Sequence, residues 1–184
     1  MPKRDEKRKA LIKKLRNILI VLVFLIALIK FRKALFFIVI FTIVAYIGKY
    51  IRGMFGLKMV VLDPLHFSAI MMAKFIGIKE AIIFVAINTL IIDFITFIAS
   101  DGTFANFFFY AGSSALAVMI FGNTNMLIYG SIAALIYSVS YFLYRTLVIP
   151  NPPFEVISKC ITSFIFTFLY LSFIGPLLAI FMSV

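Results

Sequence analysis

One carboxylate interrupts a long apolar stretch of the sequence, in the segment NTLIIDFITF, residues 88–97. Thr89, Asp93 and Thr96 stand at i, i+4 and i+7, so a helix would carry them on one face. Asn88 adjoins that face. Ionisable residues inside a membrane span cost about 2.5–3.5 kcal/mol on insertion scales and therefore tend to face a cavity or a partner. Asp93 is accordingly predicted to pair with a base, to contact a ligand, ion or partner, or to lie near a helix end at the interface.

Three further segments carry polar side chains at helical spacing. They are the stripes Asn106, Tyr110 and Ser113; Ser138, Tyr141 and Arg145; and Lys159, Ser163, Thr167 and Tyr170. Helices packed in lipid turn such faces toward one another. The interior is therefore expected to hold one acid, Asp93, with Arg145 and Lys159 as its candidate partners. Snorkelling of these two bases to the headgroups is the alternative interpretation.

A set of seven polar residues is predicted to bind a small solute. In this hypothesis the acid and the two bases contact a charged or zwitterionic group, the tyrosines stack on the solute, and the asparagines donate or accept hydrogen bonds. The seven residues are Asn88, Asp93, Asn106, Tyr110, Tyr141, Arg145 and Lys159.

The residue types of the chain give little support for catalysis or for metal binding. The chain has one histidine, His66, and one cysteine, Cys160, so neither a multi-histidine site nor a thiolate cluster can form. No GxSxG, HExxH, Walker A or Rossmann pattern is present. We expect no catalytic residues, no metal and no cofactor. A membrane-embedded enzyme with His66 and Asp93 as an acid/base pair is the third functional hypothesis.

The composition requires a lipid environment. The chain is 64% hydrophobic with a mean hydropathy of +1.15, whereas soluble domains are about 45–50% apolar. A soluble fold of 184 residues has too little interior to bury this much apolar surface. The sequence therefore predicts a polytopic integral membrane protein, located in the cell membrane, with the lipid bilayer as its first partner.

Basic residues are concentrated in the first part of the chain. The formal net charge is +11, and sixteen of the eighteen Lys and Arg lie in residues 1–79. Residues 1–17 read as a basic amphipathic flank that approaches the membrane surface. The positive-inside rule places this flank in the cytoplasm, against anionic lipid headgroups. Nucleic-acid binding is not expected, because the basic segment continues directly into an apolar run.

Residues 18–184 are predicted to form a single all-α bundle of six transmembrane helices, or seven if residues 18–29 cross. This first run has 12 apolar residues, whereas a crossing needs roughly 20. If it lies in the interface, the N-terminus, KFRK and the pair Lys74 and Lys79 are all cytoplasmic. Pro176 is expected to kink the last helix or to start a second half-helix. The apolar runs are 18–29, 34–48, 59–77, 80–99, 104–122, 126–149 and 156–184.

The order of segments resembles two families of small membrane proteins. A span entering on DPLHFSAIMMAKFIG is followed at once by KEAIIFVAINTLIIDFITF, then by the break SDGT and the span FFFYAGSSALAVMIFG. This order is similar to that of the substrate-binding S-components of energy-coupling-factor (ECF) transporters and of the rod-shape-determining protein MreD. A span ending in Asp before a short Gly-containing break is typical of MreD-like chains, and Asp93 with SDG (100–102) matches it.

The resemblance implies two functions. An S-component-like protein would bind a small solute near one membrane face and would rely on a membrane partner for energy. An MreD-like protein would be a non-transporting scaffold that docks a cell-envelope complex. The first predicts a polar pocket touching Asp93 and Arg145, and the second predicts a filled interior with those charges paired to each other.

Overall fold

A computed structural model describes residues 33–51, 54–55, 64–95, 101–149 and 152–183 of the chain. These residues are helical, with short turns and no strand, which confirms the predicted all-α class for the described part. The basic flank, 1–17, and the run 18–29 lie outside the described residues. Contacts divide the chain into two units, Met1–Phe37 and Ile38–Val184. All side-chain contacts discussed below lie within the second unit.

The helical elements follow one another with short connections. In chain order they are α1 (Lys33–Ile51), α2 (Leu65–Phe75), α3 (Ile78–Ala86), a π-helical turn (Ile87–Ile91), α4 (Ile92–Ile95), α5 (Asp101–Phe121), α6 (Met126–Leu147), α7 (Pro153–Phe173) and α8 (Gly175–Ser183).

Four of the described helices, α1, α5, α6 and α7, are long and apolar enough to cross a membrane, with mean hydropathies of 1.6 to 2.2. Many of their large apolar side chains are exposed, including Phe108, Met119 and Leu135. Lipid is the solvent in which such surfaces are stable. The four helices therefore indicate a multi-pass integral membrane protein. The predicted number of six or seven spans is not confirmed.

Helix α2 is a short helix that its neighbours surround. Nine of its eleven residues are buried, as is typical of a helix that is apolar on all sides. At its C-terminal end, Lys74 Nζ donates a hydrogen bond to Gly122 O, at the end of α5. Near its N-terminal end, His66 contacts Ser113, close to the middle of α5. A helix of this length spans about 16 Å, so α2 covers about half of a 30 Å hydrocarbon layer.

The turn between α2 and α3 depends on Gly77. Its φ of 154° belongs to a region that is essentially restricted to glycine. Its N–H donates to Met72 O at 2.9 Å, which closes the C-terminal end of α2. A Cβ at this position would also meet the Glu80 carboxylate.

Gly77→Ala is therefore expected to lower the free energy of unfolding by about 1–3 kcal/mol. Gly112→Ala is the matched control, because Gly112 lies inside α5 with open space around the added Cβ. Urea unfolding in detergent, followed by circular dichroism, measures both variants. Equal stabilities for the two variants would refute the assignment of strain to Gly77.

The last predicted run consists of two helices. The chain turns at Ile174 and continues as α8 from Gly175. Pro176 has no N–H, so it cannot donate to the carbonyl four residues earlier and a continuous helix is interrupted here. The predicted break at Pro176 is confirmed.

Candidate functional site

The carboxylate of Asp93 is bound by a base that lies on α1. Lys49 Nζ lies 3.1 Å from Asp93 Oδ1 and donates to Asn88 O at 2.7 Å. On the other side, Thr103 Oγ1 donates to Asp93 Oδ2 at 3.4 Å. The expected partners of Asp93, Arg145 and Lys159, are therefore corrected to Lys49. The ion pair joins α1 to α4, the Thr103 hydrogen bond adds α5, and both side chains of the pair are only about one fifth exposed.

The position of Lys49 explains why the sequence did not indicate this pair. The apolar run was predicted to end at residue 48, whereas α1 continues to Ile51, so Lys49 is inside the helix. Thr42 stands seven residues before Lys49, on the same helical face. Thr42 Oγ1 accepts a hydrogen bond of 2.9 Å from Asn88 Nδ2. In the sequence, only the seven-residue spacing of Thr42 and Lys49 indicated that both side chains lie on one polar face of α1.

The π-helical turn brings Asn88 and Asp93 onto one face. The N–H of Ile92 donates to Ile87 O, five residues earlier, so this turn contains one residue more than an α-helical turn. Asn88 and Asp93, five residues apart, consequently both contact Lys49. Thr89, which the α-helical period grouped with Asp93, instead donates to Val85 O at 2.7 Å. Single π turns inside helices occur frequently at functional sites.

A second polar network surrounds His66. His66 Nε2 is hydrogen-bonded to Ser113 Oγ at 2.9 Å, and its ring lies 5.4 Å from Tyr110 and 4.9 Å from Tyr137. The two tyrosine rings stack at 4.5 Å, and Tyr137 OH donates to Tyr110 OH at 3.1 Å. The enzyme hypothesis required His66 beside Asp93, and the hydrogen bond of His66 is made to Ser113 instead.

The aromatic stack of the second network continues toward the end of α6. The ring of Tyr141 stacks 5.9 Å from that of Tyr137, and the guanidinium of Arg145 lies 5.4 Å from the Tyr141 ring centre. This cation–π geometry is favourable. Arg145 Nε and Asn106 Oδ1 are buried and have no hydrogen-bond partner among the described residues.

The second predicted base, Lys159, forms an ion pair within α7. Lys159 Nζ lies 2.6 Å from Glu155 Oε1, four residues earlier. The seven predicted ligand-binding residues are thus distributed over the Lys49 network, the His66 network and this local pair, with Asn106 on α5. Their role in ligand binding stays a prediction. Among the described residues, no group of three or more His, Cys, Asp or Glu could hold a metal ion.

A cleft of about 560 Å³ lies elsewhere, between α1, α2 and the α7–α8 pair. Its volume is in the range of small-molecule sites, which are about 300–1,000 Å³ and mostly apolar. None of the seven predicted residues lines it. Its lining residues are Ile40, Phe41, Val44, Ile47, Gly48, Ile51, Pro64, Phe67, Ser68, Tyr170, Ile174 and Leu178.

The fold and the charge networks define the chain as a multi-pass, all-helical integral membrane protein. No known protein family, curated protein or solved structure matches the chain. The resemblance to S-components and to MreD therefore stays a prediction.

Proposed function

We propose that this protein binds a small solute inside the membrane, in the cleft between α1, α2 and the α7–α8 pair. The cleft is the observation that carries the proposal. Its volume of about 560 Å³ suits a drug-sized ligand, and its walls have the apolar and aromatic composition of small-molecule sites. Uptake driven by ATP would need a partner subunit, because the sequence has no Walker A loop.

The Lys49 network and the Lys159–Glu155 pair are consistent with a ligand site elsewhere, because their charges are already neutralised within the chain. Asp93 accepts from Lys49 and Thr103, and Lys159 is paired with Glu155. Charges neutralised within the chain can hold helices together in lipid without any ligand. The Lys49–Asp93 pair, with Thr103, connects α1, α4 and α5, the Lys159–Glu155 pair is neutralised within α7, and the solute occupies the apolar cleft.

Native mass spectrometry of the full-length protein, extracted with lipids of its own host, tests the proposal. The wild-type ions are expected to carry a small molecule of constant mass. Val44→Trp places an indole at the cleft and should reduce the occupancy at least tenfold, about 1.4 kcal/mol. Val39→Trp is the matched control, since Val39 is another exposed valine of α1, 54% exposed against 43% for Val44, and it does not line the cleft.

Two outcomes contradict solute binding in the cleft. The first is a wild-type protein that carries no small molecule, and the second is a Val44→Trp variant that keeps the small molecule at wild-type occupancy. In the second case the ligand binds elsewhere on the protein, and the predicted residues around Asp93 become the sites to test next.

A non-transporting membrane scaffold is the second candidate function. It is favoured by the pairing of Asp93 with Lys49 and of Lys159 with Glu155, because a scaffold needs a stable filled interior and no solute site. The same spectra separate the two candidates. A scaffold predicts a protein partner at fixed stoichiometry, no small molecule, and identical spectra for the two tryptophan variants.

A further inference from the structure

Ser68 contributes an unusual polar group to the cleft. The residue is 1% exposed, and its Oγ has no hydrogen-bond partner among the described residues. A serine in a helix can donate to the carbonyl four residues earlier, in addition to the backbone bond that this carbonyl accepts. Pro64 O accepts the Ser68 N–H at 2.8 Å and receives no second hydrogen bond from Ser68 Oγ. Buried hydroxyls are rarely left without a partner, so a partner is expected from within the cleft that Ser68 lines.

The remaining wall of the cleft excludes a charged solute. None of its lining residues is Lys, Arg, Asp, Glu or His, and a charge placed there would have no counter-ion on the wall. Aromatic rings form part of the wall, with Phe67 and Tyr170 at 5.7 Å from each other. The wall can therefore contact an apolar body along its length and offers hydrogen bonding only at a few points.

The side of the cleft formed by α1 is open toward lipid. Val44, Ile47 and Ile51 line the cleft and are nevertheless 43%, 49% and 41% exposed. In a membrane-spanning helix such apolar side chains face the hydrocarbon layer. A molecule dissolved in the bilayer can consequently reach the cleft between these side chains without crossing water.

Resting on the proposed function, we infer that the solute is a neutral, bilayer-soluble molecule with an apolar body and one hydroxyl or carbonyl oxygen. The apolar body contacts the aromatic wall, and the oxygen is hydrogen-bonded to Ser68 Oγ, which can both donate and accept. The solute enters sideways from the hydrocarbon layer. This class differs from the charged or zwitterionic solute that the polar stripes of the sequence predict.

Two photoreactive probes test the inference on the full-length protein in phosphatidylcholine nanodiscs. One is a twelve-carbon alcohol that carries a diazirine, and the other is the corresponding alkane without the hydroxyl. The labelled protein is titrated with each probe, and peptide mapping gives the labelled residues. Ser68→Ala is expected to raise the half-saturating concentration of the alcohol about fivefold, about 1 kcal/mol, and to leave the alkane unchanged.

Ser114→Ala is the matched control. Ser114 is likewise 1% exposed with an Oγ that lacks a partner among the described residues, and it does not line the cleft. It should alter the labelling by neither probe. Equal effects of Ser68→Ala and Ser114→Ala on the alcohol would overturn the inference about the ligand oxygen.

Val44→Trp separates this inference from the proposed function. If Val44→Trp weakens labelling by both probes and Ser68→Ala does not affect the alcohol, the cleft is a binding site and only the role of Ser68 is wrong. If Val44→Trp leaves the labelling by both probes unchanged, the cleft is not the site, and the proposed function fails together with the inference.

Discussion

Replacing Lys49 by methionine is expected to lower the free energy of unfolding by about 2 kcal/mol. Removal of one partner from a buried ion pair costs about 3–5 kcal/mol, because the other charge remains in a medium that solvates it poorly. The side chains of Lys49 and Asp93 are 23% and 22% exposed, which reduces this cost. The variant also removes the donor to Asn88 O. Urea unfolding in detergent, followed by circular dichroism, measures the change.

Two further variants show whether the loss comes from the ion pair. Lys79→Met removes a lysine that is exposed at the start of α3, and it should change the stability by less than about 0.5 kcal/mol. Adding Asp93→Asn to Lys49→Met should recover most of the loss, since the neutral amide does not need the ammonium. If Lys49→Met and Lys79→Met are equally stable, the pair does not hold α1 in place.

Gly130→Ala is expected to destabilise the protein by about 1–3 kcal/mol, the usual cost of overpacking a filled interior. A Cβ at Gly130 would meet the side chain of Leu171 on α7. Leu171 is completely buried, so it has little room to move away. Close approach of helices at small residues is a main source of helix association in lipid, and this substitution separates α6 from α7. Thermal unfolding in nanodiscs measures the loss.

Gly112→Ala is expected to stabilise the protein in the same thermal unfolding assay. A Cβ at Gly112 has no neighbour within 4 Å, and alanine stabilises a helix interior by about 0.5–1 kcal/mol relative to glycine. The two variants make the same chemical change in neighbouring helices. The difference between their stabilities therefore isolates the effect of the contact with Leu171. A Gly130→Ala variant as stable as the Gly112→Ala variant would contradict the close packing of α6 on α7.

Hydropathy and helical spacing were sufficient to predict the long helices α5, α6 and α7 and part of their inward faces. The run predicted at 126–149 is the helix Met126–Leu147. Side chains of the predicted stripes, such as Ser113, Ser163 and Thr167, are buried. These properties follow from local composition and from the 3.6-residue period, because lipid penalises polar groups wherever they occur on the outer surface.

The partner of Asp93 could not be predicted from hydropathy and helical spacing. The π turn changes the period within Ile87–Ile91, so the face that an α-helical period assigns to Asp93 is incorrect there. The pair also requires α1 and α4 to lie side by side, which is a property of tertiary packing. In the sequence, only the spacing of Thr42 and Lys49 indicated that α1 has a polar face that could contact Asp93.

The cleft was missed for a different reason. Its wall consists almost entirely of apolar residues, and in a membrane protein such residues do not stand out from those that face lipid. Part of its wall is the first turn of α2, with Pro64, Phe67 and Ser68. The sequence predicted a full span at 59–77, whereas α2 is an eleven-residue helix that begins at Leu65. Ser68 is the polar residue that the sequence analysis did not select.

An electron cryomicroscopy reconstruction of the full-length protein, bound to an antibody fragment in nanodiscs of its host lipids, tests solute binding most directly. Non-protein density is expected in the cleft lined by Phe41, Phe67 and Tyr170, with one end of the density within hydrogen-bond distance of Ser68 Oγ. A cleft closed by direct contact of α1 with α2, without non-protein density between them, would contradict solute binding there.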